Sequence, residues 1–114
     1  MTDKIVVLST CASEEEAQRL AHSLVEQRLA ACVNVVPGIR SYYRWKGAIE
    51  SAAEYLLLIK SSRERLDALR AALEREHSYE IPEVLVLSVV DGAANYLNWI
   101  QANLTAEGGE SGSR

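Results

Sequence analysis

The stretch from Ala31 to Lys60 constrains the fold more than any other, because two extended arms flank a single Lys46-Gly47 step. The first arm, Cys32-Val-Asn-Val-Val-Pro-Gly-Ile-Arg-Ser-Tyr-Tyr-Arg-Trp45, is β-branched and aromatic; the second, Ala48 to Ile59, ends in Tyr55-Leu-Leu-Leu-Ile59. Both compositions favour strands, and glycine at the step predicts a hairpin turn. Pro37-Gly38 interrupts the first arm, and proline lacks the ladder donor, so a bulge on an edge strand is expected there. Arms of about twelve to fourteen residues reach roughly 40 Å, whereas the usual strand has about five or six residues. Such a hairpin overhangs its own domain. With Tyr42, Tyr43 and Trp45 on the overhang, it invites pairing with a second copy of the chain.

The flanking sequence supplies the support. Ile5-Val-Val-Leu8, within a strand from Lys4 to Thr10, has the continuous apolar character of a buried central strand. Ser13 with Glu16 has capping-box spacing, and Ala17, Leu20, Ala21, Leu24, Val25 and Leu29 recur on one helical stripe to about Ala30. Ser61 with Glu64 repeats the box before a second helix marked by Leu66, Leu69 and Leu73 and ending near Glu76. Beyond Pro82 a fourth strand, Val84 to Val90, is closed by Asp91-Gly92, and Tyr96, Leu97, Ile100 and Leu104 mark a C-terminal helix. Residues 105–114 are small, polar and glycine-rich, which predicts a disordered tail behind one domain over 1–104. The order βαββαβ plus a helix is an α+β, ferredoxin-like split βαβ fold with a long β2–β3 hairpin. In that fold Cys11 and Cys32 lie at opposite ends of the sheet, about 20 Å apart, too far for an intrachain disulfide.

Composition removes several function classes. A chain of 114 residues, 48% hydrophobic with a formal charge of −4, carries no basic patch for a phosphate backbone, so nucleic acid is excluded as an expected partner. No apolar run approaches the roughly twenty residues that span a bilayer, and Met1-Thr-Asp-Lys4 lacks a signal-peptide pattern, so no membrane partner and a cytoplasmic location are expected. An acylphosphatase-type enzyme requires an arginine-bearing phosphate loop after strand one, and Thr10-Cys-Ala-Ser-Glu-Glu15 is acidic without arginine.

Three segments together, Leu29-Ala-Ala-Cys-Val-Asn34, Ser41-Tyr-Tyr-Arg-Trp-Lys-Gly47 with Glu50, and His77-Ser-Tyr-Glu-Ile-Pro-Glu83, resemble the CutA divalent-cation tolerance proteins. Glu54, Leu58-Ile-Lys60 and Tyr96-Leu-Asn-Trp99 fall in the same register, so the resemblance covers nearly the whole chain. It implies a ferredoxin-like domain in a tight homotrimer, without enzymatic activity, linked to metal tolerance and binding copper in some members. Where the family pattern has proline after the histidine, this chain has Ser78. At the positions matching the copper ligands it has Ser9, Glu76 and His77.

Cys11, two residues beyond Ser9 and on the same strand face, can stand in for the missing thiol, giving an expected copper set of Cys11, His77, Glu76 and Ser9. The alternative reading makes Cys11 an apolar filler and His77 a helix C-cap. Cys32 is expected in the core and His22 on the surface. Tyr43, Trp45, Tyr79 and Trp99 exceed what so small a core absorbs, and Glu50, Glu54, Lys60, Glu80 and Glu83 are candidate partners for their polar atoms in an intersubunit cleft. The leading expectation is a trimeric metal-response protein. The alternative, by analogy with the PII-type signal proteins of the same architecture, is a sensor whose cleft takes a small anion beside Lys60 and Trp45.

Overall fold

The computed structural model describes residues 1–105, so the expected tail lies, apart from Thr105, outside the described residues. The elements are β1 (Lys4–Cys11), α1 (Glu14–Glu26), β2 (Cys32–Trp45), β3 (Ala48–Ser62), a single 3-10 turn (Arg63–Arg65), α2 (Leu66–Glu76), β4 (Leu85–Ser88) and α3 (Ala94–Ala102). The sheet order is β2-β3-β1-β4 with antiparallel neighbours, the ferredoxin-like arrangement that the pattern predicts.

The hairpin turns as its sequence requires. Lys46 and Gly47 both hold positive φ, +51° and +84°, and connect the closing pair Trp45↔Ala48. Two left-handed residues in a two-residue loop match the twist of the flanking strands. At Pro37-Gly38 the ladder steps from Val36↔Leu56 to Ile39↔Glu54, so two β2 residues stand opposite the single Tyr55. The extra residue reverses the alternation. Before the bulge Cys32, Asn34 and Val36 share a face with Leu56, Leu58 and Lys60; beyond it Ile39, Ser41, Tyr43 and Trp45 occupy that face and Arg40, Tyr42 and Arg44 the other.

Helices α1 and α2 cover one face of the sheet. Leu20 and Leu24 of α1 and Leu69 and Leu73 of α2 join Ile5, Val7, Leu57 and Ile59 in a core from which solvent is excluded. Cys11 belongs to this core, but Cys32 does not: it is only half-buried and pairs with Lys60 on the opposite face, because β2 begins in the phase set before the bulge. No disulfide joins the two cysteines. The opposite face carries Val6, Leu8, Leu56 and Leu58 half-buried, with Leu85 55% and Leu87 50% exposed, and α3 covers only its far end through Ala31, Ile100 and Leu104.

Three local expectations are revised. Helix α1 stops at Glu26 because Arg28 takes φ +58° and Leu29 N–H bonds back to the Leu24 carbonyl, while Arg28 N–H bonds to that of Val25. That is a Schellman stop with arginine in place of glycine. The second capping box does not form: Ser61 remains in β3, and its buried hydroxyl donates to the Leu29 carbonyl at 2.7 Å. Strand β4 covers Leu85–Ser88 rather than Val84 to Val90; past its end Val89 still exchanges backbone hydrogen bonds beside the start of β1, donating to the Lys4 carbonyl at 3.0 Å and accepting from Thr2 N–H at 3.3 Å.

Candidate functional site

The end of β1, the start of α1, the end of α2 and the approach to β4 meet around one buried carboxylate. Ser13 caps α1 by accepting from the Glu16 N–H at 3.1 Å, but the Glu16 side chain does not complete the box. It crosses to accept from Ser78 N–H at 2.8 Å and Ser78 Oγ at 2.9 Å. Ser78 thus uses a backbone donor that proline lacks. Burial pushes the Glu16 carboxyl upward, but hydrogen bonds led by the two Ser78 donors outweigh it and hold the group below the usual carboxylate range.

His77 caps α2 with its backbone N–H on the Leu73 carbonyl, and its side chain is wholly enclosed. Its Nδ1 accepts from Tyr79 N–H at 3.0 Å, so Nε2–H donates to the Thr10 carbonyl at 2.7 Å. Both ring nitrogens are committed. The Cys11 thiol is buried beside Glu16; burial first and that negative charge second push its pKa up, which disfavours the thiolate that metals and electrophiles require. Glu76 faces α1, where Gln27 donates to its carboxylate at 3.2 Å. Ser9 Oγ is buried without a hydrogen-bond partner on the core face. The expected copper set therefore does not fit: among the described residues no three His, Cys, Asp or Glu side chains gather to hold a metal ion. Replacing His77 by Ala should lower thermal stability, through two buried hydrogen bonds worth about 1 kcal/mol each, and leave copper affinity unchanged in a calorimetric titration.

On the open face, under the hairpin, lies a cavity of about 550 Å³ lined by Thr10, Tyr43, Trp45, Glu50, Glu54, Tyr79 and Glu83, with Ser41, Tyr42, Ile81 and Pro82. Strand alternation beyond the bulge puts Tyr43 (42% exposed) and Trp45 (38%) on this face; Tyr42 (72%) has the opposite phase and still borders the cavity. Glu54 is buried, and its carboxylate accepts from Tyr79 Oη at 2.5 Å. Burial and that carboxylate raise the Tyr79 phenol far above its usual range, so it stays a donor. Of the cleft residues named from the sequence, Tyr43, Trp45, Glu50, Glu54, Tyr79 and Glu83 come together. Three do not. Lys60 turns to the Asn34 side chain, Trp99 stacks on Tyr96 within α3 at 5.7 Å, and Glu80 is exposed and lies off the cavity wall.

Sequence reasoning missed Thr10, Ser41, Tyr42, Ile81 and Pro82 as wall residues and Glu16 as the organiser of the 77–79 segment. The bulge is the signal for Ser41, since one inserted residue moves odd-numbered β2 positions onto the cavity face. Nothing in the spacing of Glu16 and Ser78 announces their contact.

The family model described as the CutA1 divalent ion tolerance protein matches residues 5–103. The divalent-cation tolerance protein CutA of Pectobacterium atrosepticum is 46% identical over 104 residues, 91% of this chain and 94% of that protein. A chloroplastic CutA 1 protein of Oryza sativa is 45% identical over 90% of this chain and 58% of its own length. The crystal structure of CutA from Xylella fastidiosa superposes with a TM-score of 0.89 at 38% identity, over 91% of this chain and all of that one. No helix among the described residues is long and apolar enough to cross a membrane.

Proposed function

This chain belongs to the CutA1 divalent ion tolerance family, and from that premise we propose that it acts without catalysis, as an assembly of three copies, in tolerance of divalent cations. The observation that carries the assembly is the open sheet face, where Leu85 and Leu87 stand half in solvent beside Val6, Leu8, Leu56 and Leu58. A contiguous apolar surface of this kind marks an association face, and β2 leaves an unpaired edge on a long hairpin beside it. Copies joined head to tail through such an edge form a closed ring where the rotation between neighbours is one third of a turn. A buried thiol with a raised pKa and a histidine with both nitrogens engaged support the reading without catalysis.

Light scattering at micromolar concentration should give three times the chain mass, and a deletion strain should regain growth on raised copper, zinc or cobalt only when this chain is restored. A monomeric mass removes the assembly. Unaltered metal sensitivity in the deletion strain removes the role in tolerance.

A second reading, a sensor using a cleft between copies, is supported by the cavity opening on the same face as the apolar patch. The small anion expected for such a cleft does not suit it. Lys60 is elsewhere, and Glu50, Glu54 and Glu83 line the wall.

A further inference from the structure

The cavity under the hairpin contains negative charge that the chain itself does not balance. Glu54 is 7% exposed, yet the one hydrogen bond to its carboxylate comes from a neutral phenol, and no Lys, Arg or His among the described residues forms an ion pair with it. Leaving a buried carboxylate without a cationic partner is costly. The hairpin has bases, but the bulge turns Arg40 and Arg44 to the opposite face, where Arg40 reaches Ser51 Oγ at 3.4 Å and Arg44 the Gly47 carbonyl at 3.4 Å. A second polar group stands beside it: Thr10, 8% exposed, lies on the cavity face of β1 and forms part of the lining.

Around these groups stand Tyr43 and Trp45, whose ring faces attract weakly hydrated cations, with Glu50 and Glu83 adding charge at the wall. The volume lies within the roughly 300–1,000 Å³ of small-molecule pockets. Magnesium and calcium gain little from aromatic rings, and among the described residues no three His, Cys, Asp or Glu side chains gather to hold a metal ion. An anion meets three carboxylates. A guanidinium or primary ammonium group satisfies every feature, offering several donors to Glu54 and Thr10 and a polarised surface to the rings.

We propose that this cavity binds a small organic cation bearing a guanidinium or primary ammonium group, with Glu54 as its counter-charge, Thr10 as a further acceptor and Trp45 and Tyr43 as its aromatic walls. The binding groups come from one chain, so the proposal goes beyond the assembly and metal-tolerance reading and can fail separately from it.

Calorimetric titration of the full chain with methylguanidinium, n-butylammonium, magnesium and butyrate, at matched ionic strength, tests it. The two organic cations should bind once per chain, while magnesium and butyrate give no heat. Glu54→Gln keeps an acceptor for Tyr79 and should weaken cation binding about tenfold or more, as expected on losing a charge-assisted bond. Trp45→Ala should weaken it about threefold, the size of an exposed cation–π contact. Circular dichroism and melting of both variants establish that they fold. Absence of binding by either organic cation, or equal affinity in folded Glu54→Gln, overturns the proposal. So does binding to a dissociated Leu87→Asp chain but not to the assembled protein, which would show the cavity closed by a second copy. Binding by a wild-type chain that light scattering finds monomeric supports the cavity and removes only the assembly.

Discussion

Replacing Leu87 by Asp should break the assembly into single chains while leaving each chain folded. Leu87 stands on the face away from α1 and α2, opposite Val6, and half of it already meets solvent in the isolated chain. An aspartate there costs a free chain little. In an association face it must be desolvated, and burying an unpaired polar or charged group costs at least about 2 kcal/mol. That penalty corresponds to about thirtyfold per contact in the association constant, and a closed ring repeats it at every copy. Light scattering over a dilution series should show the variant at the mass of one chain where the wild type is assembled, with an unchanged far-ultraviolet spectrum. A Leu87→Asp variant that retains the assembled mass would place the association face elsewhere.

The hairpin arms, their turn, the bulge and the strand order were all legible, because each rests on a local rule: β-branched runs, glycine at a left-handed position, proline without a donor. What the bulge does to the site was legible in principle but requires counting through it. A single inserted residue decides that Tyr43 and Trp45, rather than Tyr42 and Arg44, share the sheet face of Glu50 and Glu54. The same count places Cys32 beside Lys60 instead of in the core. Long-range partners were not legible. Lys60 finds Asn34, Glu76 finds Gln27 and Glu16 finds Ser78, and each choice depends on where packed helices bring side chains that local spacing does not connect. Local spacing makes Glu16 a capping-box residue, and the competing attraction that wins is a pair of donors 62 positions away.

The second large effect belongs to Glu16. Its side chain is 8% exposed and touches three residues: Ser78 through two hydrogen bonds, His77 Nδ1 at 3.6 Å and Arg19 at 3.5 Å. Hydrogen bonds to a charged group contribute about 1.5–3 kcal/mol each, so Glu16→Gln, which keeps the shape and removes the charge, should destabilise the chain at pH 7 by about 2 kcal/mol. In a chain of this size that is roughly a 10 °C fall in Tm. The sign of the pH dependence follows from the direction of the shift. The folded carboxyl titrates below its usual value of 4.5, so its contribution is complete above that pH and disappears as pH falls through the lower, folded value. Stability curves of wild type and Glu16→Gln should therefore differ most near neutrality and converge in acid. Subtracting them removes the parallel contributions of Asp3 and Glu76, whose carboxyls are also held low. Ser78→Ala, which loses the hydroxyl but keeps the N–H donor, should produce about half the effect, and the double variant should lose less than the sum because the two residues share one contact. Since this contact sets the backbone that delivers Tyr79 to Glu54, the same variants should loosen the cavity under the hairpin. Equal melting temperatures and parallel acid profiles would show that Glu16 holds nothing that the cap of α1 does not already supply.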